Sequence, residues 1–397
     1  MCRHLVCVCS IQCTRLAALR LGALRRHAPG TPAGRGRPVG TSRACLIGLY
    51  PWPVTGKYRK WPLPGDPDAS VGARHHRVPR FYLERFANER SQIASVDRRT
   101  GECRTASIRE TAAEKDFYTA VNTDGDKDGK SEHLLSHIEG NAARAIRNIL
   151  VPAFRLFPPQ PEDRADLCLF LAFQKVRGKQ TRKRIEMLGD LWARAQFPAN
   201  MSDKQAEDWL KAKGQEATPE SVAEMVDFSG HVDEFLFVPD PNEHLRVMGD
   251  TALRISELLL SRPWYIADYG TPALLTSDEP VALHFRDASR PPGHDRGIAY
   301  ADEIWFPLDP RRLLILGRPG DPWPEQYLHP PIETAATVNL AVAAGAYEYI
   351  YMHPDQDHLE DVQLPEAGPI LRVSAELPFG LSRYNQPVTD TRTQRRK

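Results

Sequence analysis

The order of helix-like and strand-like segments is the feature of this sequence that most constrains its fold. Between about residues 131 and 261, apolar side chains recur at helical spacing, as Leu134, Ile138 and Ala142 illustrate. After Pro263 the pattern changes to short apolar runs that Gly and Pro residues separate, which is typical of strands. Because the strands follow the helices as a block instead of alternating with them, the sequence predicts an α+β fold and argues against a wound βαβ fold.

Two segments refine this architecture. Residues 92–97 and 102–108 flank a turn at Gly101, which predicts an N-terminal hairpin. Residues 162 to about 194 are predicted to form one long helix, and its middle, residues 167–173, is apolar on every side and should be buried. We therefore expect a central helical cluster that packs with this hairpin and with a mostly antiparallel C-terminal sheet.

Charge and composition divide the chain near residue 74. Residues 1–73 carry eleven basic and two acidic side chains, whereas residues 74–397 carry 41 basic and 49 acidic side chains. The first segment is rich in Arg, Gly and Pro and has no apolar period, so we interpret it as a leader that is disordered, mis-assigned or used for targeting. Residues 74–386 are predicted to form a single α+β domain, and residues 387–397 a disordered basic tail.

The same composition restricts the expected partners and compartment. An acidic domain does not attract phosphate backbones through its overall charge, so nucleic acid is not an expected partner. No apolar run approaches the roughly eighteen residues of a transmembrane helix. Only Cys103 and Cys168 occur after residue 74, which does not make a disulfide framework and is typical of the reducing cytoplasm. A small polar ligand remains as the expected partner, and the sequence indicates no oligomeric state.

Motifs that would reveal a cofactor are missing from the sequence. There is no Gly-rich phosphate loop, no Gly-x-Ser-x-Gly elbow, no HExxH helix and no paired CxxC. Their absence disfavours nucleotide and redox cofactors. A divalent metal ion is compatible with the sequence but is not indicated by it.

Several short motifs follow one another in a distinctive order. The ordered part of the chain is expected to open with His75-His76-x-Val78-Pro79-x-Phe81-Tyr82-Leu83, and a late turn reads Thr276-Ser277-Asp278-x-Pro280-Val281. Between them stand, in order, Glu132, Ile138-Glu139 and Phe173-Gln174-x-x-Arg177. Over roughly residues 75–375 this series resembles the bacterial domain-of-unknown-function family 4238. The resemblance implies a cytoplasmic bacterial protein whose domain starts near Arg74, and it implies no particular activity.

Polar residues at positions of predicted burial are the candidates for chemistry, because a buried polar group needs a partner. His75 and His76 precede the first helix and could bind a metal ion or transfer protons. Glu132 and Glu139 lie two helical turns apart on one face, where each could act as an acid or base. Asp278 lies between two apolar strands and could project into a cleft as an acid. We predict His75, His76, Glu132 and Asp278 as the catalytic residues.

Three further residues are predicted to bind the substrate. Gln174 and Arg177 extend the apolar helix segment, where a guanidinium could hold a carboxylate or phosphate through two hydrogen bonds. Ser277 adjoins Asp278 in the late turn. Each candidate also has a structural interpretation, such as an internal salt bridge from Arg177 to a glutamate or an Asp278 that caps local backbone amides.

Two functional hypotheses follow. In the first, the protein is a hydrolase that acts on a polar or phosphorylated substrate through a pocket of His, Glu, Arg and Asp side chains. In the second, it is a non-catalytic binding or interaction protein whose polar cluster is structural. The first hypothesis is favoured if His76, Glu132, Gln174 and Asp278 converge on one cavity, and the second if each pairs separately within its own element. We predict that a side-chain atom of His75 or His76 lies within about one side-chain length of Arg177 or Asp278.

Overall fold

The computed structural model describes residues 74–366, apart from residues 116, 118–119, 122–126, 129, 151–156, 196–199, 232–240, 287–296 and 361. The predicted leader at residues 1–73 and the predicted basic tail at residues 387–397 lie outside the described residues, as does the end of the predicted domain. The bounds of the domain therefore stay a prediction.

The N-terminal elements form two antiparallel ribbons around a short helix. Strand β1 (Arg74–His76) pairs with β4 (Ala113–Lys115), and the predicted hairpin is confirmed as β2 (Gln92–Asp97) and β3 (Cys103–Ser107). Helix α1 (Arg80–Leu83) begins after Pro79 and continues as a 3-10 turn, Glu84–Phe86. A small ribbon of β5 (Ala120–Val121) and β6 (Lys127–Asp128) precedes the first long helix.

A helical block occupies the middle of the chain, as the apolar spacing predicted. It consists of α2 (Lys130–Leu150), α3 (Pro161–Val176), α4 (Lys179–Ala195), α5 (Asp203–Ala212), α6 (Pro219–Gly230) and α7 (Pro241–Leu260). Helix α3 packs against both α2 and α7 and is the central helix of the block. Residues 167–173 of α3 are buried except for the half-buried Leu169, which confirms the prediction of a buried central stretch.

The prediction of one helix over residues 162–194 is wrong, because the helix breaks between Val176 and Lys179. The Glu279 carboxyl group lies against the α-carbon of Gly178. A β-carbon placed at Gly178 would lie 2.6 Å from Glu279 Cδ and closer still to Oε1. Any larger residue at this position would collide with a side chain that approaches from the C-terminal half of the chain.

Replacing Gly178 with Ala should therefore destabilise the fold, by about 1–3 kcal/mol for an overpacked buried site. Gly140 in α2 is a matched control, because a β-carbon there meets no other atom. Gly140→Ala should stabilise α2 by about 0.5–1 kcal/mol through its helix propensity. Urea unfolding of both variants measures the two changes, and a stabilising Gly178→Ala would contradict the contact with Glu279.

The strands after the helical block belong to two mostly antiparallel sheets. The five-stranded sheet has the order β12 (Gln326–Leu328), β7 (Trp264–Asp268), β11 (Arg312–Leu316), β10 (Glu303–Asp309) and β9 (Ala282–His284), with only the β12–β7 pair parallel. The four-stranded sheet has the order β3, β2, β13 (Tyr349–Met352) and β8 (Thr276–Ser277). The N-terminal hairpin and late strands thus share one sheet, and α8 (Thr334–Gly345) lies between β12 and β13 in the chain.

Aromatic contacts join the N-terminal helix, α3 and the five-stranded sheet into one core. Tyr82 stacks on Phe306 with ring centroids 4.9 Å apart, and Phe170 of α3 meets Phe306 edge-on. The Tyr82 hydroxyl donates to the carbonyl of Pro307 at 2.7 Å and lies 2.7 Å from Thr276 Oγ1. These contacts fix the segment after β1 against the late strands.

The described helices include none with both the length and the apolarity needed to span a membrane.

Candidate functional site

Strand β1 and the residue after it supply the polar groups at the centre of the candidate site. His75 and Arg77 are two residues apart and are only 2% and 6% exposed. Positions two apart on an extended chain project to the same side, about 6–7 Å from each other along the strand. His76 lies between them and is half-buried, with Nε2 3.2 Å from the carbonyl oxygen of Arg109.

His75 forms a pair with Glu132 of α2. The distance from His75 Nε2 to Glu132 Oε2 is 3.3 Å, and the Glu132 side chain keeps 32% of its surface exposed. The α2 helix places Glu132 in its first turn, one side of which packs on the core through Leu134 and Leu135. A buried imidazole therefore meets a carboxylate that solvent can reach.

A second pair lies two turns further along α2. Arg177, at the end of α3, donates from Nη1 to Glu139 Oε1 at 2.7 Å. With the Gln174 amide oxygen oriented towards Arg177, that oxygen accepts from Nε at 2.7 Å and also from Nη2. The buried guanidinium of Arg177 thus links α2 to α3, which is the internal salt bridge that the sequence left open as an alternative.

Arg77 occupies the centre of a network of four charged side chains. Its Nη2 lies 3.3 Å from Glu348 Oε2, and its Nε lies 3.6 Å from Glu114 Oε2. Lys179 Nζ reaches the same two carboxylates, at 3.0 Å from Glu348 Oε1 and 3.3 Å from Glu114 Oε2. Burial opposes the charge of Arg77, but the nearby carboxylates of Asp278 and Glu348 raise its pKa.

Asp278 caps the backbone before β13. Its two carboxylate oxygens accept from the amides of Tyr347 and Glu348, each at 2.8 Å. Burial raises the pKa of Asp278, while Arg77 and the two amides oppose this shift. Ser277 is fully buried in β8, and its Oγ accepts from the amide of Glu279 at 3.2 Å. The structural interpretation of Asp278 therefore has direct geometric support.

Glu279 is the buried carboxyl group that the sequence analysis did not select. It is 4% exposed, and its Oε1 has no hydrogen-bond partner among the described residues. Burial raises the pKa of Glu279 to about 8, Asp278 adds to the shift, and Lys175 and Arg77 oppose it. The only sequence signal was a Glu beside Pro280 in an apolar run, a position that also suits an exposed turn.

The structure brings the predicted residues together in pairs. His75 meets Glu132, Arg177 meets Glu139 and Gln174, and Asp278 lies within electrostatic reach of Arg77. Burial lowers the pKa of His76, and the charge of Glu139 acts against that change. The approach of either histidine to Arg177 or Asp278 stays a prediction, as do the assigned catalytic and substrate-binding roles.

Two observations bear on metal and thiol chemistry. Within the part of the chain that the structure describes, no three His, Cys, Asp or Glu side chains form a group suited to a metal ion. Cys168 is buried and unbridged in α3, and burial raises the pKa of its thiol to about 12. Cys168 is therefore a small core residue, since the reactive form of a thiol is the thiolate.

Comparison with known proteins identifies a family and nothing more specific. No curated protein and no solved structure matches the chain. A family model described as "Protein of unknown function (DUF4238)" matches residues 74–356, which is well over half of the 397 residues. The matched range begins at β1 and includes every predicted site residue, and on this ground the chain belongs to the DUF4238 family of proteins of unknown function.

Proposed function

We propose that this domain is a hydrolase that acts on a polar or phosphorylated substrate and uses His75 and Glu132 as its acid–base pair. The observation that carries this proposal is the 3.3 Å separation of His75 Nε2 and Glu132 Oε2 at a position where the imidazole is buried and the carboxylate is partly exposed. In the proposal, the Glu132 carboxylate holds the His75 imidazole in place for proton transfer.

In the proposed reaction, His75 acts first as the general base and then as the general acid. With Nε2 directed to Glu132, Nδ1 of His75 would take a proton from a water molecule as the water oxygen attacks the electrophilic carbon or phosphorus atom. The imidazolium would then return the proton to the departing oxygen, so that one water is consumed and the substrate bond is cleaved. A positioned imidazole typically contributes about 10²–10⁴-fold to such a step.

The remaining residues would position this pair. Arg177 holds Glu139 at 2.7 Å, and Glu139 lies on the same α2 face as Glu132. In the proposal, the substrate approaches from the side of these two carboxylates, which retain 26% and 32% exposure. Gln174, Arg177 and Ser277 would contact it only after exchanging their present hydrogen bonds.

The test compares His75→Gln and Glu132→Gln with His133→Gln, a control at an exposed histidine next to Glu132. Hydrolysis of p-nitrophenyl phosphate, bis-p-nitrophenyl phosphate and p-nitrophenyl acetate is measured between pH 5 and 9. We expect His75→Gln to lose about 10²–10⁴-fold in rate. Glu132→Gln should also change the pH profile, and His133→Gln should retain the rate. Equal rates in all three variants, or no turnover of any substrate by the wild type, would contradict the proposal.

A specific observation favours a second candidate, a non-catalytic binding or interaction protein. Each carboxylate oxygen of Asp278 accepts from a backbone amide, and Arg177 donates to Glu139 and Gln174, so these groups connect separate segments of the fold. Thermal melts of the same variants separate the candidates. A folded but inactive His75→Gln supports the enzyme, whereas a His75→Gln that unfolds places His75 in a structural network.

A further inference from the structure

A cavity on one face of the four-stranded sheet is distinct from the His75–Glu132 pair. Its volume is about 180 Å³, and it is lined by Ser95, Arg104, Ala106, Glu110, Thr111, Ala112, Tyr349 and Tyr351. It is smaller than the sites that hold drug-sized ligands or nucleotides, which begin at about 300 Å³.

The sheet register explains how these side chains meet. Arg104 of β3 is opposite Ser95 of β2, and Ser95 is opposite Tyr351 of β13. The three side chains therefore form one row across neighbouring strands and project to the same face. Tyr349 lies two residues before Tyr351 on this face, with its ring 6.4 Å from that of Tyr351.

Opposite charges stand at the rim of the cavity. The Arg104 guanidinium lies over the Tyr349 ring, 5.5 Å from its centroid, and Glu110 is exposed in the segment after β3. No ion pair joins either side chain to another residue in the part of the chain that is described. A cation and an anion are therefore both available to a molecule in the cavity.

The floor of the cavity contains a polar group without a partner. Tyr351 is 1% exposed, and its hydroxyl has no hydrogen-bond partner within the described ranges. A buried hydroxyl in this state is unfavourable unless something else accepts or donates a hydrogen bond to it. The neighbouring Thr111 hydroxyl is also buried and donates to the Ser107 carbonyl at 2.9 Å, so its oxygen can still accept.

The backbone at the cavity is held in an uncommon conformation. Ala112 has φ of 54°, in the left-handed region that favours glycine. The amides of Glu110 and Thr111 donate to the Ser107 carbonyl at 3.0 and 3.1 Å, and the Ala112 carbonyl accepts from the Arg77 amide at 2.9 Å. Strained residues that the surroundings hold in place cluster at ligand sites, and Ala112 lines the cavity together with Glu110 and Thr111.

We propose that this cavity binds a small zwitterion that carries both an ammonium and a carboxylate group, that is, a free amino acid with a small side chain. Arg104 and the Tyr351 hydroxyl receive the carboxylate, and Glu110 and the Thr111 oxygen receive the ammonium group. Ala106 and Ala112 leave room for a methyl-sized side chain. This proposal does not depend on the proposed hydrolase chemistry.

The experiment is calorimetric titration of the full chain with glycine, L-alanine, L-serine and L-threonine. Propionate and ethylammonium are matched probes, because each equals L-alanine without one of its two charged groups. We expect at least one of the four amino acids to bind at least tenfold more tightly than either matched probe. Failure of all four to bind, or propionate binding as tightly as L-alanine, would overturn the proposal.

Substitutions of the cavity residues test whether the amino acid binds in this cavity. Arg104→Met and Glu110→Gln should each weaken binding at least tenfold, whereas Arg99→Met and Glu102→Gln, at exposed positions in the β2–β3 turn, should leave it unchanged. Tyr351→Phe should weaken binding while keeping or raising the melting temperature, because it removes a hydroxyl that lacks a partner. Unchanged affinity in Arg104→Met and Glu110→Gln, with circular dichroism showing that both are folded, would assign the binding elsewhere and refute the site.

Discussion

Glu279→Gln is expected to remove a large pH dependence of stability. Burial raises the pKa of Glu279 from its ordinary value of 4.5 to about 8. Between these two pH values the native state keeps a proton that the unfolded state has released, so the free energy of unfolding falls as the pH rises. The fall is about 1.4 kcal/mol per pH unit and sums to roughly 5 kcal/mol by pH 8 as an upper limit. Below pH 4.5 this contribution is fully present, and above pH 8 it is lost.

The measurement is urea unfolding at each pH unit from 5 to 9. A glutamine is neutral throughout this range, so the stability of Glu279→Gln relative to the wild type should rise by several kcal/mol towards pH 9. Glu257→Gln, which alters an exposed side chain on α7, is the control and should follow the wild-type curve. Parallel curves for the wild type and Glu279→Gln would show that the carboxyl group ionises as freely in the native state as in the unfolded state.

Lys175 should contribute a pH dependence of stability that is opposite in sign to that of Glu279. Burial lowers the pKa of Lys175, and the negative charge of Glu279 opposes this shift. The native state therefore binds fewer protons than the unfolded state as the pH approaches the ordinary value of 10.5, so the contribution of Lys175 to stability increases with pH in that range. Lys175→Met should remove this alkaline contribution while keeping the decline caused by Glu279.

Leu171→Ala is expected to cost about 2–5 kcal/mol of unfolding free energy. Leu171 is fully buried in α3, between α2 and α7, where the truncated side chain leaves a cavity that packed helices cannot close. Leu258→Ala in α7 is the control, because Leu258 is 40% exposed and should change stability by only about 0.5 kcal/mol. A cost below about 1 kcal/mol for Leu171→Ala would mean that α3 is not the centre of the helical block.

Local patterns predicted the elements whose stability depends on their own spacing of apolar residues. The buried run of α3 follows from its apolar residues, because a helix that is apolar on every side must be covered by other elements. The order of helices before strands fixed the α+β class for the same reason. Single residues that interrupt an apolar pattern, such as a glycine within a helix, predict less about the structure, because the same interruption can have several causes.

The helix break at Gly178 is an example of a feature that the local sequence did not predict. The glycine stands within a helical pattern, where its presence alone predicts only a small loss of helix propensity. At this break the Glu279 side chain, which follows β8, lies where a β-carbon at position 178 would be. That approach depends on how α3 and α4 pack against the late strands, which no window of neighbouring residues contains.

For the candidate site, too, the sequence determined some features and the tertiary structure determined the others. The sequence by itself determined that His75, Glu132, Gln174, Arg177 and Asp278 are polar residues in segments that must be partly buried, and hence that they need partners. Only the tertiary structure decided which partners they have: Glu132 for His75, Glu139 for Arg177 and two backbone amides for Asp278. It also decided that Glu279 is buried, which raises its pKa, and that Arg104, Ser95 and Tyr351 form one row. The physical reason is that strand register and helix packing set which distant groups meet, and the pKa of a buried group depends both on its loss of solvent and on the charges that packing brings near it.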